Sequence, residues 1–312
     1  MSRAAKVAYG ATVRAADPDR LIWDRDGSDW PNRVASRFVR AAGLNWHVQR
    51  MGQGPVMLLV HGTGASTHSW EAIAPMLACR FTVVALDLPG HGFTDLPGPE
   101  GLSLSGMANA VSALLRVLDL TPEIVVGHSA GAAILARMCL DGRIVPSTLI
   151  SLNGAFLPLR GLLVRMLSPV TRFLVGIPAI PRLVARSAAD EDAVRRLLAG
   201  TGSTLQLKGI EQYRRLFSTP AHVAGALGMM ANWRLDTLER ELVRLTPTLV
   251  LVAADNDGTI APGDAVRIKR RVPGARLVSL PGLGHLAHEE APHMVAEIID
   301  QAVISPRKRA RS

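Results

Sequence analysis

Six short apolar runs, each bounded by turn-forming residues, punctuate the chain at Val56–Val60, Phe81–Leu86, Ile124–Val126, Thr148–Leu152, Thr248–Ala253 and Arg276–Leu280. Runs of this length read as buried strands. Stretches of helical period lie between them; in Leu102–Leu118, the residues Met107, Val111, Leu114, Leu115 and Leu118 fall on one face. Strands that are apolar almost throughout, alternating with amphipathic helices, define an α/β fold: a mostly parallel central sheet with helices on both faces.

The alternation stops after Leu152 and resumes at Thr248. This predicts a core of residues 46–154 and 246–304 and a helical lid inserted at 155–245. An N-terminal extension over 1–45 leads into opening antiparallel strands around Asn45–Gln49, and a basic tail covers 305–312. Within the lid, Leu162, Leu163, Met166, Leu167, Val170, Phe173 and Leu174 form an apolar stripe, with Arg165 and Arg172 on a neighbouring face.

Hydrophobic residues make up 48% and charged residues 20% of the chain, which excludes a disordered protein: there is enough apolar surface to offset the entropy of ordering. Aromatics are only 4%, so the core is expected to be aliphatic. Cys79 and Cys139 have neither a CxxC nor a Cys/His spacing, which predicts buried free thiols rather than a disulfide or a zinc site. The N-terminal stretch lacks a continuous apolar segment, and the apolar region from Gly161 to Ile180 is broken by Arg165, Pro169, Arg172 and Pro178. Neither a secretory leader nor a membrane span is expected, and a reducing cytoplasm is the expected setting.

The net charge of +9 is local: residues 160–215 contribute +6, and the tail residues Arg307, Lys308, Arg309 and Arg311 contribute +4. Such a distribution suits an anionic ligand, an acidic partner or an anionic lipid surface at which the protein would sit peripherally. No nucleic-acid-binding motif accompanies the charge, so no nucleic-acid partner is expected.

The chemistry-bearing residues sit at the ends of the predicted strands. Gly127-His128-Ser129-Ala130-Gly131 fits G-x-S-x-G between the run ending at Val126 and the helical pattern Ala132–Leu140. A serine on so tight a strand-to-helix turn needs neighbours without bulk, and the helix start brings N–H groups near a developing negative charge. A serine nucleophile requires a base, and His285 follows the last strand in the glycine-flanked Pro281-Gly282-Leu283-Gly284-His285. A surface loop histidine is the competing reading, disfavoured by that position. The orienting acid is expected after the preceding strand, in Ala254-Asp255-Asn256-Asp257-Gly258. Asp257, deeper in the turn, is preferred, with Asp255 as competitor. Two N–H donors are needed for an oxyanion hole: Ala130, after the nucleophile, and Thr63 in His61-Gly62-Thr63-Gly64, with Gly64 second. His61, His68, His91 and Asp87 match no compact metal-ligand spacing, so no metal and no cofactor is expected.

HGTG at 61–64, DLPGHG at 87–92, GHSAG at 127–131, ADND at 254–257 and GLGH at 282–285 together resemble the α/β-hydrolase superfamily across Trp46 to Val303. DWPNR at 29–33, HGTGASTHSW at 61–70, SLNGA at 151–155, MMANW at 229–233 and GLGHLAHEE at 282–290 are similar to the magnesium-chelatase accessory proteins of bacteriochlorophyll biosynthesis. The departure is mild: Ala261 stands where such turns often carry a proline. The resemblance implies a role near magnesium insertion into protoporphyrin. Two readings follow from it. One is a serine hydrolase cleaving an ester-like bond of a small-molecule substrate through Ser129, His285 and Asp257. The other is a non-catalytic accessory that binds a tetrapyrrole, or the magnesium chelatase itself, through the basic lid. In that reading Arg165 and Arg172 would meet the propionates and the apolar stripe the ring.

Overall fold

The computed structural model describes residues 19–158, 177 and 179–309. Eight strands form one sheet: β1 (Ser36–Ala41), β2 (Leu44–Met51), β3 (Val56–Val60), β4 (Thr82–Leu86), β5 (Ile124–His128), β6 (Thr148–Leu152), β7 (Thr248–Ala254) and β8 (Arg276–Leu280). Their order is β1-β2-β4-β3-β5-β6-β7-β8. The β1–β2 and β2–β4 pairs are antiparallel and all others are parallel. The β1–β2 hairpin turns on Ala42 and Gly43, at φ 51° and 77°, the left-handed pair that matches the twist of the flanking strands. The sheet thus takes in Ser36–Ala41, ahead of the antiparallel strands expected around Asn45–Gln49.

Side chains along β3 alternate between two cores. Leu58 and Val60 face one cluster with Met107, Leu114 and Ile134; Met57 and Leu59 face another with Ile73, Leu77 and Ile299. Both faces are therefore covered, which is why the strands read as unbroken apolar runs. Burying each large aliphatic side chain contributes about 1.5–3 kcal/mol. The covering helices include α1 (Ile73–Ala78), α2 (Leu104–Val117) and α3 (Ala130–Leu140). Ser103 caps α2, its hydroxyl accepting from Gly106 N at 3.0 Å.

Between β6 and β7 the described chain is helical: α4 (Ala179–Ser187), α5 (Glu191–Ala199), α6 (Leu207–Phe217), α7 (Pro220–Asn232) and α8 (Asp236–Glu241). Then α9 (Pro262–Arg271), α10 (Ala287–Glu290) and α11 (Pro292–Arg309) complete the fold. No helix among the described residues is long and apolar enough to cross a membrane. The expectation of buried thiols fails at Cys79, which is exposed just past α1; Cys139 is half-buried, and burial pushes its thiol up to about 12.

Candidate active site

Ser129 occupies the turn between β5 and α3 with φ 50° and ψ −118°, a conformation that costs a non-glycine residue about 1–3 kcal/mol. The surrounding backbone holds it there: Ser129 N donates to Leu152 O at 3.0 Å, and Ala155 N donates to Ser129 O at 3.0 Å. A Cβ on Gly127 would lie 2.4 Å from Ala132 N, and one on Gly131 would lie 2.2 Å from Val60 O. Only glycine lets these backbones pass, which is the physical content of the G-x-S-x-G pattern.

His285 lies in the loop after β8 and is 6% exposed. Its Nδ1 meets Asp257 Oδ2 at 2.7 Å, and Asp257 Oδ1 accepts from Thr259 N at 2.7 Å and Ile260 N at 2.8 Å. A carboxylate so held accepts the hydrogen bond from Nδ1–H, which keeps the proton on Nδ1 and leaves Nε2 free to accept one. Asp255 is exposed; the carboxylate that meets His285 is that of Asp257. Ser129 shares this neighbourhood: the ring of His128 lies 4.7 Å from that of His285, centroid to centroid, and its Nε2 donates to His285 O at 2.9 Å. Among the described residues no hydrogen bond yet joins Ser129 Oγ to His285 Nε2, a contact that commonly tightens only when substrate binds.

The loop after β3 lies against the serine. A Cβ on Gly62 would sit 2.9 Å from Ser129 Cβ. No turn or loop hydrogen bond among the described residues uses the N–H of Thr63 or of Ala130, and the latter opens α3, where an N–H has no acceptor within the helix. Thr63 Oγ1 donates to Met229 Sδ at 3.4 Å, and Phe217 packs beside Gly64, so α6 and α7 roof this loop.

Several elements of the site were not anticipated. Asn153, after β6, donates through Nδ2 to Gly284 O at 3.2 Å and His285 O at 2.9 Å, while its Oδ1 accepts from Ala254 N at 2.8 Å. The turn after α5 reaches in as well: Thr201 O accepts from both His285 N, at 3.1 Å, and Gly258 N, at 3.0 Å. The Glu290 carboxylate accepts from Gly284 N at 2.9 Å and Thr204 N at 3.0 Å. The one available sequence signal was the glycine beside each turn, Gly154 and Gly202.

The buried polar groups behind the loop after β3 are each held by partners of their own. His61 Nδ1 donates to Gly62 O at 2.7 Å and its Nε2 accepts from Leu88 N at 2.9 Å; burial, with the His91 ring beside it, lowers its pKa to about 3. Asp87 faces His47 Nδ1 at 2.8 Å and accepts from Thr67 N and Phe93 N at 2.7 and 2.9 Å. Burial opposes its ionisation, but His47 and these donors outweigh it and hold the carboxyl well below the usual range. Among the described residues no three His, Cys, Asp or Glu side chains are placed to hold a metal.

Arg165 and Arg172 lie outside the described residues. The cations of the described insertion are largely engaged: Arg182 with Asp19, Arg195 with Glu191, Lys208 with Glu71, Arg214 with Glu211 and Arg215 with Asp29.

Residues 57–298 match the alpha/beta hydrolase family, and the chain belongs to it. A crystal structure of an alpha/beta hydrolase fold protein from Burkholderia ambifaria superposes with a TM-score of 0.73 at 26% identity, covering 85% of this chain and 97% of that one. The magnesium-chelatase 30 kDa subunit of Rhodobacter capsulatus is 35% identical over 266 residues, 85% of this chain and 93% of that protein. A fluoroacetate dehalogenase from a Burkholderia species is 29% identical over 282 residues, 82% of this chain and 89% of its own.

Proposed function

We propose that this protein is a serine hydrolase cleaving an ester-like acyl bond in bacteriochlorophyll biosynthesis, near the magnesium-chelatase step. The observation that carries the proposal is the 2.7 Å bond between His285 Nδ1 and Asp257 Oδ2, beside a strained, glycine-flanked Ser129. In the reaction, His285 Nε2 takes the Ser129 hydroxyl proton as the oxygen attacks the acyl carbon. Asp257 orients the imidazole and stabilises its cation. The N–H groups of Thr63 and Ala130 meet the oxyanion, a contribution of about 3–4 kcal/mol per donor in comparable sites. The leaving group departs with the proton from His285, and water then releases the acyl group with His285 again the base. The helical insertion acts as the lid over this site.

The pathway assignment rests on likeness to a protein named as a magnesium-chelatase subunit. That name also favours a second reading, in which the insertion docks a tetrapyrrole or the chelatase and Ser129 is unused. Because most described insertion cations already face carboxylates, this reading leans on Arg165 and Arg172.

Hydrolysis of short-chain aryl esters by the purified protein, together with pigment production in a phototrophic host, separates the two. The hydrolase reading expects Ser129→Ala to abolish both. Normal pigment from Ser129→Ala, with loss on charge reversal at Arg165 and Arg172, would establish the docking reading instead.

A further inference from the structure

Two side-chain donors converge on a main-chain oxygen that takes no part in the proposed chemistry. His285 O accepts from His128 Nε2 and from Asn153 Nδ2, each at 2.9 Å, so both lone pairs of that carbonyl are used. The two donors come from neighbouring strand ends. His128 is the last residue of β5 and is bonded covalently to Ser129; Asn153 follows β6.

Asn153 is fixed at three further points. Its N–H donates to Val252 O at 2.8 Å, its Oδ1 accepts from Ala254 N at 2.8 Å, and its Nδ2 also reaches Gly284 O at 3.2 Å. Its φ of 47° lies in the left-handed region, which asparagine tolerates better than most residues. His128 is 2% exposed, and its Nδ1 is buried without a partner. Burial, reinforced by the rings of His288 and His285, keeps its imidazole neutral. A neutral ring that donates from Nε2 has no second proton, so the single His128 donor is committed to His285 O.

We propose that His128 and Asn153 are positioning residues that grip the His285 carbonyl and thereby set the distance between the Ser129 hydroxyl and the His285 imidazole. The proposal rests on the triad reading. Because His128 and Ser129 are adjacent, the nucleophile turn itself holds the backbone of its base, and Asn153 locks that backbone to the ends of β6 and β7. Neither residue is asked to exchange a proton.

The test compares His128→Phe, which keeps a ring but no donor, with His128→Gln, whose amide nitrogen can reach the place of Nε2; Asn153→Ala and Asn153→Asp are the second pair. Two readouts are taken on the full chain, with thermal melts to confirm folding. The first is the rate of labelling by a fluorophosphonate probe as a function of pH. The second is the strongly deshielded proton of the His285 Nδ1–Asp257 bond in the proton NMR spectrum. His128→Phe and Asn153→Ala should each slow labelling by about tenfold or more, as expected when a catalytic group is misplaced, and should broaden or move that proton. His128→Gln should restore both to near wild type. Asn153→Asp, which retains the acceptor for Ala254 N but loses the amide donor, should behave like Asn153→Ala.

Unchanged labelling and an unchanged deshielded proton in folded His128→Phe and Asn153→Ala would overturn the proposal. So would a His128→Gln variant no better than His128→Phe. If the wild-type protein does not label, the hydrolase reading falls, and the NMR signature alone still decides whether these two side chains hold His285 in place.

Discussion

The carbonyl of Thr201 accepts from the N–H of His285 at 3.1 Å, so a residue of the helical insertion is bonded directly to the backbone of the candidate base. The same oxygen accepts from Gly258 N at 3.0 Å, tying the Asp257 loop to the His285 loop. Gly202, at φ +77°, makes this approach possible, since a Cβ there would lie 1.8 Å from Asn256 O. Gly202→Ala is therefore expected to destabilise the fold by about 1–3 kcal/mol and to slow the reaction at Ser129 by roughly a hundredfold. Urea denaturation and ester kinetics measure the two effects; wild-type kinetics in this variant would mean that the turn only rests against the site.

The His47–Asp87 pair is fully buried at 2.8 Å and organises the turn after β4. Asp87→Ala leaves Thr67 N and Phe93 N without their acceptor and should cost about 3–5 kcal/mol, read as a lower urea midpoint. A change below 1 kcal/mol would show that water replaces the carboxylate at little cost.

Stability should fall on the acid side. Burial lowers His61 and His288 to about 3 and His68 and His91 to about 4, against an ordinary value of 6.5. At pH above 6.5 these groups are neutral folded or unfolded and contribute no difference. Below it the unfolded chain takes up protons that the folded chain refuses, so each group costs about 1.4 kcal/mol per pH unit until its folded value is reached. Melting curves between pH 8 and pH 5 should show the midpoint dropping once pH passes below 6.5. A flat profile would contradict the neutral burial of these rings.

Glu289 works in the opposite direction. Burial raises it to about 7 from 4.5, although Ser69 and Tyr213 donate to it, the latter at 2.7 Å. A raised carboxyl contributes stability below pH 4.5 that is lost as pH climbs to 7. Glu289→Gln removes that loss, so its stability relative to wild type should be higher at pH 8 than at pH 5, by up to about 3 kcal/mol. Paired urea titrations at the two pH values check the sign, and a smaller advantage at pH 8 would refute it.

The central parallel strands were legible because burial on both faces leaves an almost uninterrupted apolar run, as in Val56–Val60 and Thr248–Ala254. Ser129 and its turn were legible because steric exclusion at Gly127 and Gly131 demands a local pattern. The preference for Asp257 over Asp255 as the residue that meets His285 followed from depth in a turn, which is also local. What escaped was non-local or carried by backbone atoms. Nothing in the letters around Thr201 signals that its carbonyl will meet His285, and Asn153 reads as an ordinary turn asparagine until β7 and the His285 loop close around it. The buried histidines escaped for another reason: hydropathy expects an imidazole near water, whereas His61 and His222 sit inside by trading both ring nitrogens to backbone groups.

The most direct test of the central claim is peptide mapping of the fluorophosphonate-treated protein by mass spectrometry. The expected result is one adduct, on Ser129, absent in Ser129→Ala and formed at least a hundredfold more slowly, as an order-of-magnitude estimate, in His285→Gln. An unmodified Ser129 in folded protein, or an adduct that forms equally fast without His285, would contradict it.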